Sequence, residues 1–220
     1  MTTTLKIDFV SDIACPWCAV GLGSLEQALE RLQADGIQAQ LHFQPFELNP
    51  QMGPEGQDLA EHLTQKYGST PEQQAANWRN LCQRAAAVGV EFRPEGRGRT
   101  WNTFKAHRLL HWAGEQGEAS QHALKKALLQ AYFTRGENPS DDEVLLQAVQ
   151  SVGLDADRAR AILSSDEYTP QVRERQRFYT QAGISAVPSV IINDQHLLQG
   201  GQPPEIFEQA LRQIAAVQAG

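Results

Sequence analysis

The sequence predicts an α/β protein in which a βαβ segment and a ββα segment build one sheet, with a long all-helical stretch inserted between them. Three observations carry this reading. Period-two alternation is confined to the two ends of the chain. The middle, from 51 to about 175, repeats apolar residues at helical spacing and closes most of its segments with glycine. The first strand runs through "DIACPWC" directly into a helix. Residues 1–50 and 176–220 are therefore read as one discontinuous domain and 51–175 as the insertion.

In chain order, "LKIDFV" (5–10) puts Leu5, Ile7 and Phe9 on one face of a strand. "GSLEQALERLQADG" (23–36) carries Leu25, Leu29 and Leu32 at helical spacing and stops at Gly36, and "QAQLHFQPFEL" (38–48) alternates again through Leu41 and Phe43. Then come "GQDLAEHLTQKYG", "TPEQQAANWRNLCQRAAAVG", "NTFKAHRLLHWAGEQG", "EASQHALKKALLQAYFTRG", "SDDEVLLQAVQSVG" and "LDADRARAILSSDE", a run of helices with no convincing strand. Several open on a capping residue or proline. "TPQVRERQRFYTQAG" (169–183) returns the chain to the sheet, where "SVIIN" (189–193) pairs with "QHLLQGG" (195–201) through a turn at Asn193-Asp194. Pro203-Pro204 opens a last helix, "EIFEQALRQIAAV". A parallel βαβ followed by an antiparallel ββα, with Cys-x-x-Cys at the first strand-to-helix junction, is the thioredoxin arrangement.

At 220 residues the chain is long enough to bury a sizeable core. Its formal charge of −7, from 26 acidic against 19 basic residues, argues against a general nucleic-acid binder, because phosphate contacts need a basic face. The N-terminus "MTTTLKIDFVSD" enters a strand without a charged n-region, an apolar h-region or a cleavage site. No run approaches the ~18 apolar residues of a membrane span. The expectation is a cytoplasmic protein with no membrane partner. There, three cysteines are not a disulfide scaffold, and a close pair is catalytic or metal-binding.

Three readings compete for Cys15 and Cys18: half of a zinc site, a redox dithiol, or two inert buried thiols. Zinc needs about four ligands, and no second Cys-x-x-Cys or close histidine pair supplies them; no metal set is assigned. In the redox reading, Cys15 falls at the helix start, where unpaired N–H groups and the positive dipole end favour a thiolate. Pro16 suits the first helical position, Cys18 sits one turn in, and Trp17 offers an exposed apolar face to a substrate chain. In "GISAVPSVII", Pro188 opens a strand where a missing donor costs least. A cis Val187-Pro188 bond would leave the Val187 backbone free to pair with an extended substrate beside the sulfurs; the alternative is an ordinary trans proline.

Other residues have two readings each. Thr103, His107 and His111 share one helix face, either aimed at the site or satisfied in an interface; as a metal pair the histidines lack a third ligand. Cys82 reads as a buried helix residue. Arg93, Arg97 and Arg99 form a basic loop, either solvated or holding an anionic substrate such as the glutathione carboxylates. Asp8 and Asp12 are surface or capping groups, or proton relays.

"SDIACPWC", the insertion with its "NTFKAHRL", and "GISAVPSVIIN…GGQ" followed by a helix resemble the DsbA-like thioredoxin family, specifically its cytoplasmic FrnE-type dithiol-disulfide oxidoreductases. The resemblance covers nearly the whole chain. It implies Cys15 as attacking thiol, Cys18 as resolving thiol and Pro188 as a cis-proline facing them, with Asn102, Thr103, His107 and Arg108 on a helix that roofs the site. Asn102, Thr103 and His107 would then bind substrate, while Pro16, Trp17, Val187 and Pro188 shape the site. This chain departs from many relatives at Ala19, Ala186 and Ser189. The implied function is thiol-disulfide exchange on protein or small-molecule substrates, with no bound cofactor and glutathione as a redox partner or co-substrate. Related 2-hydroxychromene-2-carboxylate isomerases and kappa-class glutathione transferases typically keep serine where Cys15 stands. They supply the rival reading, a glutathione-dependent isomerase or transferase on a small aromatic substrate. A non-catalytic peptide-binding or chaperone module is the third. Oligomeric state is not assigned.

Overall fold

The computed structural model describes residues 2–219 of the chain. Strand β1 (Thr3–Ser11) is covered on both faces from Ile7 onward, as befits a central strand. Helix α1 (Pro16–Gln33) crosses over to β2 (Ile37–Pro45), which runs parallel to β1 in register from Thr3–Ile37 to Ser11–Pro45. The helix begins at Pro16, as the cysteine-proline pair predicts, and carries Gly21 and Gly23 inside it. A Cβ on Gly21 would come within 3.0 Å of Pro188 Cγ, and one on Gly23 within 2.9 Å of Val88 and Val90 methyls. These two positions cost helix propensity, about 1 kcal/mol each, and let α1 lie directly against its neighbours.

The insertion follows as β3 (Gln57–Asp58), α2 (Leu59–Tyr67), α3 (Pro71–Ala87), β4 (Arg99–Thr100), α4 (Phe104–Glu115), α5 (Glu118–Phe133), α6 (Asp142–Ser151), α7 (Ala156–Leu163) and α8 (Thr169–Gln181). It is not wholly helical: β3 and β4 form a two-residue antiparallel ladder, too short to leave an alternation in the sequence. The caps that the sequence advertised hold the helices. Thr70 and Gln73 make a reciprocal capping box on α3, and Asp58, Asp141 and Asp155 accept N–H groups at the starts of α2, α6 and α7. Helix α8 runs unbroken across position 176.

The chain closes with β5 (Ser189–Ile192), β6 (His196–Gln199) and α9 (Pro204–Ala219). Asn193 and Asp194 both take left-handed φ, 51° and 58°, which suits the twist of a two-residue hairpin. The sheet order is β2-β1-β5-β6, with β5 antiparallel to β1 from Ile7–Ile192 to Val10–Ser189. This is the thioredoxin sheet. The outer strand β2 is not left bare: the Gln121 side chain on α5 accepts from the Phe43 N–H (2.9 Å) and donates to its carbonyl (3.1 Å). One continuous apolar core joins sheet and insertion, from Leu5, Ile7 and Phe9 through Leu109 and Leu128 to Ile162.

Candidate active site

The loop from β1 into α1 is buried throughout, and Asp12 organises it. Its Oδ1 accepts from the Ala14 N–H (3.3 Å) and the Thr103 hydroxyl (2.7 Å) and lies 3.3 Å from His107 Nε2. Its Oδ2 accepts from the Leu48 N–H at 2.7 Å. Burial works against the carboxylate, but the bonds from His107, Leu48 and Thr103 outweigh it and hold the group below its usual range. The Asp12 carbonyl then accepts from the Cys15 N–H (3.3 Å), which sets Cys15 as the N-cap of α1 with Pro16 next.

Cys15 and Cys18 are free thiols, and the Cys18 N–H closes a turn on the Cys15 carbonyl at 3.1 Å. Their environments pull apart. The hydrogen bond from the Cys18 thiol, helped by the N–H groups of Cys18 and Trp17, pulls Cys15 below an ordinary thiol against the effect of burial. Burial pushes Cys18 well up, as does the neighbouring Cys15 sulfur, while the Lys125 ammonium and the Asp12 N–H oppose. One thiol is thus disposed to ionise and its partner to keep its proton. Cys15 Sγ lies 3.5 Å from the Val187 carbonyl oxygen, on the turn before β5, and the Val187–Pro188 peptide bond is cis. Pro188 packs against α1 at Gly21.

Trp17 does not present a free apolar face. Its ring lies so close to Gly201 that a Cβ there would meet Cε3 at 3.0 Å, and the Arg84 guanidinium sits 5.6 Å from a ring centroid. Arg84 also donates to the Gly201 carbonyl at 3.1 Å, so Trp17 ties the dithiol to α3 and to the Gly200-Gly201 turn. Pro16 is half-buried beside it.

The four residues of the roof motif part into three groups. Thr103 is the N-cap of α4 but does not cap it, because its hydroxyl is turned to Asp12. His107, buried one turn on, joins it there. Asn102 takes over the cap through Oδ1, which accepts from the Phe104 N–H at 2.9 Å, while its Nδ2 donates to the Met52 carbonyl. It lines a separate open cleft of about 530 Å³ with Met52, Lys105 and Asp142, away from the sulfurs. Arg108 points elsewhere again, donating to the carbonyls of Ile162, Ser165 and Glu167 at the end of α7. His111 is half-buried against the Tyr168 ring.

The arginines of the basic loop are engaged by the protein itself. Arg97 donates to the Ala14 carbonyl (2.9 Å) and stacks among Trp78, Tyr132 and Phe133. Arg99 donates to the Glu55 carbonyl and Arg93 to that of Arg135. Asp8 is held by Gln44 (2.6 Å) and Lys6 (3.1 Å), so it is Asp12 that stands behind the thiols. Cys82 is half-buried on α3. Lys125, which drew no notice in the sequence, is buried to 1% exposure beneath this cluster.

Comparison with known proteins agrees with the geometry. The model of the DSBA-like thioredoxin domain matches residues 6–212. The uncharacterized protein YwbO of Bacillus subtilis (strain 168) is 27% identical over 209 residues, 94% of this chain and 96% of that one. A solved structure of a probable DsbA oxidoreductase, SCO1869 from Streptomyces coelicolor, superposes with a TM-score of 0.84 at 36% identity, covering 95% of this chain and 89% of that one. A 2-hydroxychromene-2-carboxylate isomerase shares the fold at 16% identity, with a TM-score of 0.70 over 97% of this chain and 98% of its own. With its sheet order, its dithiol at the first helix and this match over nearly its full length, the chain belongs to the DSBA-like thioredoxin domain family.

Proposed function

We propose that this protein is a thiol-disulfide oxidoreductase of the FrnE type in which Cys15 attacks and Cys18 resolves. The observation that carries the reading is the placement of two free thiols one turn apart at the start of α1, Cys15 as its N-cap with Sγ 3.5 Å from the Val187 carbonyl oxygen and Cys18 buried behind it. The opposite pulls on the two sulfurs agree with it. A Cys15 thiolate attacks one sulfur of a substrate disulfide, forms a mixed disulfide and expels the other sulfur as a thiolate. Cys18 then gives up its proton and attacks the Cys15 sulfur. The Cys15–Cys18 disulfide forms, the second substrate sulfur leaves, and two electrons have passed from protein to substrate. Run backwards, the same steps oxidise a dithiol. The buried Asp12–His107 pair stands behind the dithiol loop, where the Asp12 carbonyl accepts the Cys15 N–H, and is the group we assign to manage the Cys18 proton.

Cys15 is only 3% exposed, which favours extended peptides and small disulfides, glutathione included, over a disulfide set in a folded surface. Val187 and Pro188 border that approach. The cytosol is the proposed compartment; no helix among the described residues is long and apolar enough to cross a membrane.

Trapping tests the proposal. Cys18→Ser should accumulate mixed disulfides through Cys15, because attack proceeds and resolution cannot; Cys15→Ser should trap nothing and lose insulin-reduction or dithiol-oxidation activity. If Cys18→Ser traps nothing while Cys15→Ser stays active with glutathione and an aromatic substrate, the isomerase or transferase reading replaces this one. If both variants hold an unfolded peptide as well as the parent does and neither exchanges disulfides, the chain is a binding module.

A further inference from the structure

Lys125 lies on α5, in the insertion, and nothing in the exchange steps above uses it. Its side chain is buried to 1% exposure, it forms no ion pair among the described residues, and its ammonium sits over the Phe43 ring, 5.9 Å from the centroid. A buried ammonium without a carboxylate is costly, several kcal/mol even after relaxation, so a fold keeps one only where some other charge answers it. The structure offers few candidates. Lys125 shares the wall of a small pocket, about 10 Å³, with His107, His111 and Gln44. Beyond His107 lies Asp12 at 3.3 Å, already engaged by the Ala14 and Leu48 N–H groups and the Thr103 hydroxyl. The Asp12 carbonyl in turn accepts the N–H of Cys15 at 3.3 Å, at the head of the dithiol.

We propose that Lys125 is a positioning residue for the redox couple: an ammonium supplied by the helical insertion, buried behind the dithiol, that favours the reduced state and so raises the reduction potential. The proposal rests on the dithiol reading and deepens it. Reduction of the Cys15–Cys18 disulfide by two glutathione molecules delivers two electrons and one retained proton, leaving Cys15 as thiolate and Cys18 as thiol; the second glutathione proton goes to solvent. A negative charge is therefore present near Lys125 in the reduced form and absent in the neutral disulfide. The ammonium gains the charge of the dithiol in one redox state and keeps only the Asp12 carboxylate against the cost of burial in the other. Burial pulls Lys125 downward, and negative charge on the dithiol and on Asp12 opposes it.

An opposite charge nearby favours an ionised partner by about one to three pKa units, and the low end applies to groups without direct contact. Lys125→Met and Lys125→Gln, the second keeping a polar head, should each lower the equilibrium constant for reduction by glutathione about tenfold, which is about 30 mV. Each should also move the Cys15 thiolate titration, followed by ultraviolet absorbance, upward. Unmutated protein gives an independent readout: the Lys125 side-chain NMR signals should titrate at lower pH in the disulfide form than in the dithiol form. If the parent has a reversible couple while both variants stay within twofold of it, or if Lys125 titrates alike in both redox states, the inference is wrong and the dithiol reading stands. If the parent has no reversible couple, both fall together.

Discussion

Thr103→Val tests the hub on which the candidate site is built. Valine has nearly the volume of threonine, so the change removes a hydroxyl and leaves little cavity. What is lost is the 2.7 Å bond to Asp12 Oδ1. Asp12 is 1% exposed, so no water replaces that donor. A hydrogen bond to a buried charge contributes about 1.5–3 kcal/mol, against about 1 kcal/mol for a neutral one. The expected loss is about 2 kcal/mol at pH 7, or about 4–8 °C in a protein of this length. The pH dependence is more diagnostic than the size. The Asp12 carboxyl is held below its unfolded value in the native state, so its stabilising contribution is present above that unfolded value and is lost as pH falls through the native one. Removing a donor raises the native value, so the penalty of Thr103→Val should be largest near neutrality and shrink toward about 1 kcal/mol in acid, where parent and variant both carry a protonated Asp12. Urea unfolding of both proteins from neutral pH down into the acid range measures this. A penalty below about 0.5 kcal/mol, or one that does not change with pH, would refute the claim that Thr103 serves an ionised Asp12.

The other expectations are simpler to state. Iodoacetamide should modify Cys15 at pH values below those at which a free thiol reacts, while Cys18 stays unmodified until the protein unfolds; equal reactivity of the two sulfurs in the native protein counts against the split in their environments. Gln121→Leu strips the Phe43 N–H and carbonyl of their partner at the sheet edge and should cost about 2–4 kcal/mol, two unmet polar groups at about 1–2 each, read by thermal unfolding; a loss below 1 kcal/mol means β2 finds other partners. Gly21→Ala adds a methyl 3.0 Å from Pro188 Cγ, where about 1 kcal/mol of helix propensity offsets the crowding. Stability should therefore change little while disulfide exchange slows, and unaltered exchange kinetics would show that the contact between α1 and Pro188 is slack.

Local pattern made the sheet, the hairpin and the dithiol legible. Leu5, Ile7 and Phe9 alternate because one face of β1 packs under α1 and α9, and Asn193-Asp194 are residue types that tolerate positive φ. Cys15 could be placed at a helix start from Pro16 alone. What escaped depends on partners remote in sequence. Trp17 reads as exposed until Gly201, from the far end of the chain, is found beneath its ring. Thr103 and His107 reveal a shared face by their spacing, but not that the target is Asp12, nor that Asn102 is turned aside to cap the helix. Asp12 stands out as a capping group or relay by its place before Cys15, but nothing local tells that Leu48, Thr103 and His107 converge on it. Lys125 had a signal that went unused: Gln121, Leu124, Lys125, Leu128 and Tyr132 fall on one helical stripe, and a lysine on such a stripe is buried with them.

The most direct measurement is a redox titration of the native protein in glutathione buffers, with the linkage at each step read by mass spectrometry after acid quenching. A single two-electron transition is expected, joining Cys15 to Cys18 and leaving Cys82 a free thiol throughout. A chain that passes through the whole range with all three thiols unpaired, or that pairs Cys82 instead, contradicts the assignment of Cys15 and Cys18 as the working dithiol.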